Sequence, residues 1–472
     1  LRTLSNLHIS VAVEYIMKFE ELQNCDTDYM IDVLVELARC KSGRKLYKVI
    51  VRDEEELEGD KTKSISSFVK WLLQILSRII YDQSLDINRM TTGLKAGSKI
   101  LIALLRPSLL KDLSLPRNIL LKFRTAMMQL DPQILRRTGL LKAYVYLMHK
   151  LAIHDEIIVD NFELEAMNTI VQRAKSVAPI VRILDICRFI VERGYSRYFR
   201  HIHAIIGVVE HRFERLMNWE LLEAKYRLLR VLLPRYISGS WFEREIIRIL
   251  GSIRYDKRRR RWISVVAELL HLVGEAYARK LVEKEVVEEL LERIYTLEWT
   301  GTITKGTKCY YCYGYTKHII PVNFLEKIHT SILELLEIML KNKENDVDYG
   351  KFILRMLEPK IMLEKYKPCC EVSEYSGHYG GRYVNVYRNL HDKIIRIVAD
   401  GINSGIFESD FVSTVIHRLI GSYIAEAKYN EKSFQDAFEK IVRLLLLIRD
   451  DKLLRRFEDI WECIFKKHRE KI

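Results

Sequence analysis

The 472-residue sequence has few residues that break helices and few that form cross-links. It contains 8 Pro and 20 Gly, which favours long helices joined by short connections. Its 8 Cys are scattered, which excludes a disulfide framework and indicates a reducing, intracellular environment. The longest apolar run, Leu444–Ile448, is far too short to cross a bilayer, so we expect no membrane span.

The sequence also lacks the signatures of common enzymes. It has no H-E-x-x-H motif, no phosphate-binding G-x-x-x-x-G-K loop, no dinucleotide-binding G-x-G-x-x-G loop, and no paired carboxylates or Ser–His arrangement. These absences predict a protein that is not an enzyme and has no small-molecule substrate. They also predict no cofactor beyond the structural zinc considered below.

Helical periodicity is the main positive signal, and it is clearest in the stretch Pro179–Tyr236. Apolar residues recur at steps of three and four along Ile180–Val191, which is the pattern of an amphipathic helix. Gly194 is placed to end that helix, and Asn218 is placed to cap a later one. The chain is therefore predicted to be all-α and built from helical hairpins.

These hairpins recur at a regular offset. Tyr195, Tyr236 and Tyr277 follow one another at steps of 41 residues, and the apolar stripe of Ile183–Val191 recurs at the same offset. Such a period, with two helices in each unit, predicts a stacked α-hairpin solenoid with short irregular or β-hairpin loops. The alternative is an accidental period in an all-helical chain.

Four regions are predicted along the chain. They are an N-terminal helical region at 1–131, regular hairpins at 132–299, Tyr- and Cys-containing loops around a helical hairpin at 300–384, and a C-terminal helical region at 385–472. The irregular stretches of the third region are Thr300–Asn323, predicted as a β-hairpin or an ordered loop, and Pro368–Val384. Long loops in a helical scaffold often carry function.

The hairpins between Thr138 and Trp299 resemble the heptatricopeptide-type repeats of organellar RNA-binding proteins, and in unit length they are similar to HEAT repeats. The resemblance rests on the spacing and on the segment IVRILDICRFIVERGY, which ends at Tyr195. It implies association with RNA, often in mitochondria. The nuclease-like C-terminal domain of many such proteins is not evident in this sequence, which argues for a binding or architectural role.

Positive charge is the second signal, since 77 Lys and Arg face 63 Asp and Glu, a net charge of +14. The most conspicuous cluster has eight cations against Glu245 and Asp256, and Trp262 beside it could stack on a base. The predicted nucleic-acid contacts are Arg244, Arg248, Arg254, Lys257, Arg258, Arg259, Arg260, Arg261 and Trp262. The alternative is a solvated loop between two hairpins.

Four cysteines form a candidate metal site. Cys309 and Cys312 have C-x-x-C spacing, and Cys369 and Cys370 follow beyond a predicted helical hairpin that could return them to the first pair. Zinc takes four such thiolates at tetrahedral corners. The alternative is that these are ordinary reduced cysteines in a Tyr-rich loop.

Together these features predict a non-enzymatic helical-repeat protein that binds RNA. Its expected place is a large organellar ribonucleoprotein or ribosome in the mitochondrial matrix, as a structural or assembly component. Its partners there would be ribosomal or other organellar RNA and the neighbouring proteins of the complex. The alternative is a HEAT-like adaptor or scaffold between proteins that does not contact nucleic acid.

The zinc hypothesis gives a direct test. If Cys309, Cys312, Cys369 and Cys370 converge, the purified protein should contain about one zinc per chain, and chelation should lower its melting temperature because metal binding contributes to folding free energy. Elemental analysis together with a thermal melt in chelator measures both. Metal-free protein with an unchanged melting temperature in chelator would contradict the site.

Overall fold

Helices make up 86% of the residues that the computed structural model describes, and no strand occurs among them. This confirms the all-α class for that part of the chain. None of the described helices is long and apolar enough to cross a membrane. The described residues are 26–39, 58–105, 113, 115–152, 159–213, 218–233, 239–255, 262–296, 322–342, 349–356, 376–408, 410–412, 414–416, 439–440, 442–444 and 446–448.

The chain divides into two compact units, Leu1–Val231 and Leu232–Ile472. The first unit contains α1 (Thr27–Ala38), α2 (Glu58–Tyr81), α3 (Ile87–Leu104), α4 (Arg117–Gln129), α5 (Pro132–Thr138), α6 (Leu140–Ala152), α7 (Asn161–Arg173), α8 (Val177–Glu192), a 3₁₀ turn (Ser196–Tyr198), α9 (Phe199–Phe213) and α10 (Trp219–Leu232), which ends at the boundary. The second contains α11 (Gly239–Tyr255), α12 (Ile263–Ala278), α13 (Lys284–Thr296), α14 (Val322–Lys341), α15 (Tyr349–Met356) and α16 (Ser376–Asn403).

Local sequence determines where several of these helices begin and end. Asp86 accepts hydrogen bonds from two backbone N–H groups in the first turn of α3, at 2.7 and 2.8 Å. Asn218 accepts one from the Leu221 N–H at 3.1 Å, which confirms it as the cap of α10. Gly194 follows α8 with φ 75°, a left-handed conformation that glycine adopts without strain, and this confirms it as the stop of that helix.

Consecutive helices form antiparallel hairpins, as α2 and α3 show. Gly97 on α3 lies against Leu76 on α2, where a Cβ would sit only 2.5 Å from a leucine methyl carbon. Gly93, one turn earlier on α3, lies against Ile79, one turn later on α2. The two contacts advance in opposite directions, so the helices are antiparallel, and glycine lets their backbones approach closely.

Helices from successive hairpins lie parallel to one another. Between α6 and α8, the Arg182 guanidinium stacks 3.9 Å from the centre of the Tyr146 ring, and His149 Nε2 lies 3.3 Å from an Asp185 carboxylate oxygen. The partner residues advance together along both helices, so α6 and α8 are parallel. Helix α6 thus packs against α8 of the next hairpin as well as against α7, the helix that follows it.

Arginine side chains join the ends of these parallel helices. Arg193, directly after α8, donates to the carbonyl oxygen of Ala152, the last residue of α6, at 2.8 Å. Arg212 near the end of α9 donates to the carbonyl oxygen of Val171 near the end of α7 at 2.5 Å. Both pairs are 41 residues apart. The guanidinium groups satisfy C-terminal carbonyls that a helix leaves open, and their charge complements the helix dipole.

The predicted alignment of the tyrosines is off by about one helical turn at Tyr277. In unit 2, Lys280 has φ 59° and takes the place after α12 that Gly194 takes after α8. In both cases the backbone N–H of the following residue donates to a carbonyl oxygen in the last turn of the helix. Leu281 donates to Ala276 after α12, and Tyr195 donates to Ile190 after α8. Leu281 is therefore the counterpart of Tyr195, whereas Tyr277 lies inside α12 and is buried.

The reason for this shift is a change in hairpin length. Arg279, the counterpart of Arg193, donates to the Leu233 carbonyl oxygen at 3.0 Å, and these two residues are 46 apart rather than 41. The position of Tyr236 lies outside the described residues.

A buried ionic cluster ties α4, α6 and α7 together. The Glu163 side chain is fully buried and accepts hydrogen bonds from Arg124 Nε at 2.6 Å, from the Tyr144 hydroxyl at 2.9 Å and from the Asp160 backbone N–H at 2.9 Å. Burial and this carboxylate raise the pKa of Tyr144 well above its usual value. The hydrogen bond to Glu163 likewise raises the pKa of Arg124. A buried charge is tolerated only when it is paired and hydrogen-bonded in this way.

The second unit repeats the parallel arrangement with α12, α14 and α16. Gly274 on α12 lies against Ile338 on α14, and Glu268, earlier on α12, pairs with Lys327 at 3.9 Å. Between α14 and α16, Lys393 pairs with Glu334 at 2.9 Å.

One predicted loop is partly helical. The sequence predicts an irregular stretch at Pro368–Val384, but its second half is helical, because α16 begins at Ser376. Helical glycines cost only about 1 kcal/mol each relative to alanine, so the glycine pair in this segment does not exclude a helix. The expected β-hairpin or loop at Thr300–Asn323 lies outside the described residues except for its last two, which begin α14.

We expect Arg124→Ala to lower the free energy of unfolding by about 3 kcal/mol, because it leaves a buried carboxylate without its cation. Urea unfolding measures this change. Arg39→Ala, which breaks an exposed pair with Glu36 in the same unit, is the control and should cost about 0.3 kcal/mol. A loss below 1 kcal/mol for Arg124→Ala would mean that the remaining hydrogen bonds suffice for Glu163.

Candidate nucleic-acid interface

The predicted basic cluster is only partly within the described structure. Lys257 and Arg258, Arg259, Arg260 and Arg261 lie outside the described residues, and Arg254 is described only as part of the α11 backbone. Arg244 is exposed on α11. Arg248 is half-buried and makes two hydrogen bonds to Glu245, at 2.6 and 2.8 Å. The charge of Arg248 is therefore neutralised by Glu245 within the same helix.

Trp262 does not have the environment expected of a base-stacking residue. Its side chain is 3% exposed and immediately precedes α12, a helix with an almost wholly buried apolar surface. Neither face of the ring is open to a nucleic-acid base. The tryptophan is part of the core of unit 2, and its place beside a basic run in the sequence does not reflect its surroundings in the fold.

The four candidate zinc ligands, Cys309, Cys312, Cys369 and Cys370, all lie outside the described residues. Among the residues whose placement is known, no group of three or more His, Cys, Asp and Glu gathers as a metal site would require. Cys187 is described and is fully buried in α8, where burial raises the pKa of its thiol to about 12. It is an inert core residue.

The excess positive charge is concentrated in one stretch within the first unit. Residues 61–150 contain 16 Lys and Arg but only 4 Asp and Glu, a net charge of +12 out of +14 for the whole chain. The other 382 residues together carry a net charge of +2. The sequence-based search for short basic runs missed this region, because its charges are spread over 90 residues. A charge sum over a window of domain size would have found it.

Seven cations of this region are exposed and form no ion pair or hydrogen bond with another described residue. They lie on α2, α3, α4 and α5 and are Lys70, Lys95, Lys99, Arg117, Lys122, Arg136 and Arg137. The regular spacing of Lys95 and Lys99 puts both on one face of α3. Unpaired cations at this density repel one another and create a positive surface that attracts polyanions.

A groove between α2 and the start of α4 holds two of these cations. It has a volume of about 300 Å³ and is lined by Lys70, Gln74, Ser77, Pro116, Asn118, Ile119 and Lys122. Lys70, Gln74 and Ser77 come from one face of α2. No carboxylate lines the groove, so nothing within it neutralises Lys70 and Lys122.

The polar groups of this groove are mainly donors. The Asn118 carbonyl oxygen already accepts from the Ile119 N–H at 2.9 Å, which leaves its amino group to donate. Helix α4 begins after Pro116, which supplies no side-chain acceptor to the first N–H groups of the helix. With two ammonium groups and the Gln74 amide, the groove presents a set of donors suited to an anionic oxygen, such as that of a phosphodiester.

The described helices of unit 2 have a different charge pattern, because many of their cations are neutralised. Ion pairs there join Arg248 to Glu245, Arg293 to Glu289, Lys327 to Glu268, Lys341 to Glu337, Lys393 to Glu334 and Lys440 to Asp392. Paired surface charges contribute little to the field that a polyanion meets. The favourable surface among the described residues is therefore in unit 1.

The fold also brings a histidine of α12 to a serine and a carboxylate of α14, which lie about 60 residues later in the sequence. Ser331 Oγ lies 3.1 Å from His271 Nε2, and His271 Nδ1 lies 3.4 Å from a Glu334 carboxylate oxygen. Ser331 is buried, however, and its hydroxyl donates to the Lys327 carbonyl oxygen at 2.9 Å. The hydroxyl is not open to a substrate, so the arrangement joins α12 to α14.

No protein-family model and no curated protein matches this chain.

Trp262→Ala should lower the free energy of unfolding by about 3–5 kcal/mol, because it empties a large core position. The salt dependence of RNA binding should stay the same, since the ring contacts no phosphate. Urea unfolding and RNA titrations at several salt concentrations test both statements. A variant of normal stability but reduced RNA affinity would restore Trp262 as a contact residue.

Proposed function

We propose that this chain is a non-enzymatic helical-repeat protein that binds RNA through the basic surface of α2–α5. The observation that carries the proposal is the net charge of +12 within residues 61–150, much of it on exposed side chains without an acidic partner. A fold gains nothing from such mutually repelling charges. A polyanionic ligand offsets their repulsion and releases its own counterions.

Phosphate contact is the chemistry that this surface supports best. The groove lined by Lys70 and Lys122 offers donors to a phosphodiester oxygen, and Arg117 extends the positive surface along α4. Contacts of this kind hold a nucleic-acid backbone without reading its sequence. The cluster from Arg244 to Arg261 stays a second predicted contact.

The repeat architecture proposed with this function is a stacked α-hairpin solenoid. Its support is the parallel pairing of helices from successive hairpins and the arginine bonds at a spacing of 41 residues between Arg193 and Ala152 and between Arg212 and Val171. An array of this kind offers extended surfaces to long ligands. The resemblance to organellar RNA-binding repeats further supports a place in a mitochondrial ribonucleoprotein, with RNA and neighbouring proteins as partners.

A protein adaptor is the second candidate function, and one observation favours it. Leu121 and Met128 are 40% and 53% exposed on α4, on either side of its mid-point. Apolar side chains at the surface are common anchors for a partner protein. On this reading the cations around them would select an acidic partner rather than RNA.

The salt dependence of RNA binding tests the leading proposal. Wild-type affinity for a 20-nucleotide single-stranded RNA should fall linearly with the logarithm of salt concentration. Changing Lys70, Arg117 and Lys122 together to Gln should flatten that slope by about two units, because each phosphate contact on a single strand contributes about 0.7. Fluorescence anisotropy at four salt concentrations gives both slopes.

A matched control removes three cations that already have acidic partners. Changing Arg39, Arg293 and Lys341 to Gln lowers the net charge equally but breaks only exposed pairs within helices. This variant should bind RNA with nearly the wild-type slope. Equal slopes for the groove variant and wild type would contradict the proposed surface and favour the adaptor.

A further inference from the structure

The turn between α8 and α9 presents an exposed tyrosine on a well-fixed backbone. Tyr195 is 42% exposed, whereas Tyr144, Tyr198 and Tyr226 are buried in the same unit. Its N–H bonds to the Ile190 carbonyl oxygen at 3.3 Å, and the preceding glycine adopts the left-handed conformation that closes a helix end. The backbone of Tyr195 is thus held by α8 while its ring faces solvent.

The residues after Tyr195 hold the turn in place. The Tyr198 hydroxyl donates to the Val159 carbonyl oxygen at 2.8 Å, and the Arg197 guanidinium lies 4.6 Å from the centre of the Tyr198 ring. The Tyr195 ring lies 6.2 Å from that of Tyr198, tilted by 48°. The exposed ring therefore stands beside an anchored aromatic–arginine stack and is not on a free loop.

Most of the charge around this turn is positive; the exposed Glu192, which directly precedes it, pairs with Arg188 on α8 at 3.6 Å. Residues 193–209 contain no Asp or Glu. Arg197, Arg200 and His201 are exposed, and none of them forms an ion pair with a described residue. An exposed aromatic ring among unpaired cations combines the two features with which proteins hold single strands: a surface for a base and charges for the flanking phosphates.

We propose that Tyr195 stacks on an unpaired RNA base, with Arg197 and Arg200 holding the adjoining phosphates. The ligand class is therefore single-stranded RNA, because the bases of a duplex are already stacked and cannot lie on the ring. This inference rests on the proposed function and adds the type of strand to it. The groove between α2 and α4 supplies no aromatic ring, so it contributes backbone contact and Tyr195 contributes base contact.

The test compares Tyr195→Ala with wild type on a 20-nucleotide single-stranded RNA and on a 20-base-pair RNA duplex. Affinity for the single strand should fall about 5- to 150-fold, the range expected for one stacked base, and affinity for the duplex should stay the same. The salt slope should not change, because tyrosine carries no charge that replaces a counterion. Tyr195→Phe should bind like wild type, since the ring remains.

Tyr29→Ala is the matched control. Tyr29 is 54% exposed in the same unit, but the nearby Asp28 and Asp32 share one cation, Arg89, which is therefore not free to hold a phosphate. It should leave both affinities unchanged, and thermal melts should show all three variants folded. The stacking proposal is overturned if Tyr195→Ala binds the single strand like wild type or weakens both RNAs equally. In that case the proposed function still holds if the wild-type protein binds RNA with an affinity that falls with salt. If the wild-type protein binds neither RNA, the stacking proposal and the proposed function are both overturned.

Discussion

The packing of parallel helices from successive hairpins is the constraint on which the rest of this structure depends. An amphipathic helix has one face to bury, and here it does so against its hairpin partner and against the helix of the next hairpin. Arg193 and Arg212 close these contacts at the helix ends, where open carbonyls would otherwise be left unsatisfied. The buried Glu163 follows the same rule, since Arg124 and Tyr144 from neighbouring helices and the Asp160 N–H supply its hydrogen bonds.

This packing leaves the outer helix faces free to carry charge, and the two units use them differently. In unit 2 many lysines and arginines meet a carboxylate one turn away or on the adjoining helix. On α2–α5 Arg89 and Arg124 do so, but seven exposed cations do not, and the groove beside Lys70 and Lys122 contains no acidic group at all. Surface ion pairs contribute little to stability, so stability alone does not account for where the paired and unpaired cations lie.

Features set by neighbouring residues could be predicted from the sequence, whereas features set by distant packing could not. Asn218 caps α10 and Gly194 ends α8 because a short polar side chain and a missing Cβ act locally. The predicted alignment of Tyr277 with Tyr195 was wrong because a non-glycine residue, Lys280, takes the left-handed position after α12. The spacing from Leu233 to Arg279 is also 46 residues rather than 41. The burial of Trp262 depends on which helices surround it, and no local pattern reports that. The basic surface was present in the sequence, but its charges are spread over several helices.

Mapping the RNA contacts by photo-crosslinking tests the central claim most directly. Full-length protein would be bound to a single-stranded RNA carrying photoreactive uridines, irradiated and digested, and the RNA-bearing peptides identified by mass spectrometry. The account predicts crosslinks concentrated in unit 1, in peptides from residues 61–150 that carry Lys70, Arg117 or Lys122, and in the peptide that carries Tyr195. Crosslinks confined to unit 2, or spread evenly over both units, would contradict it.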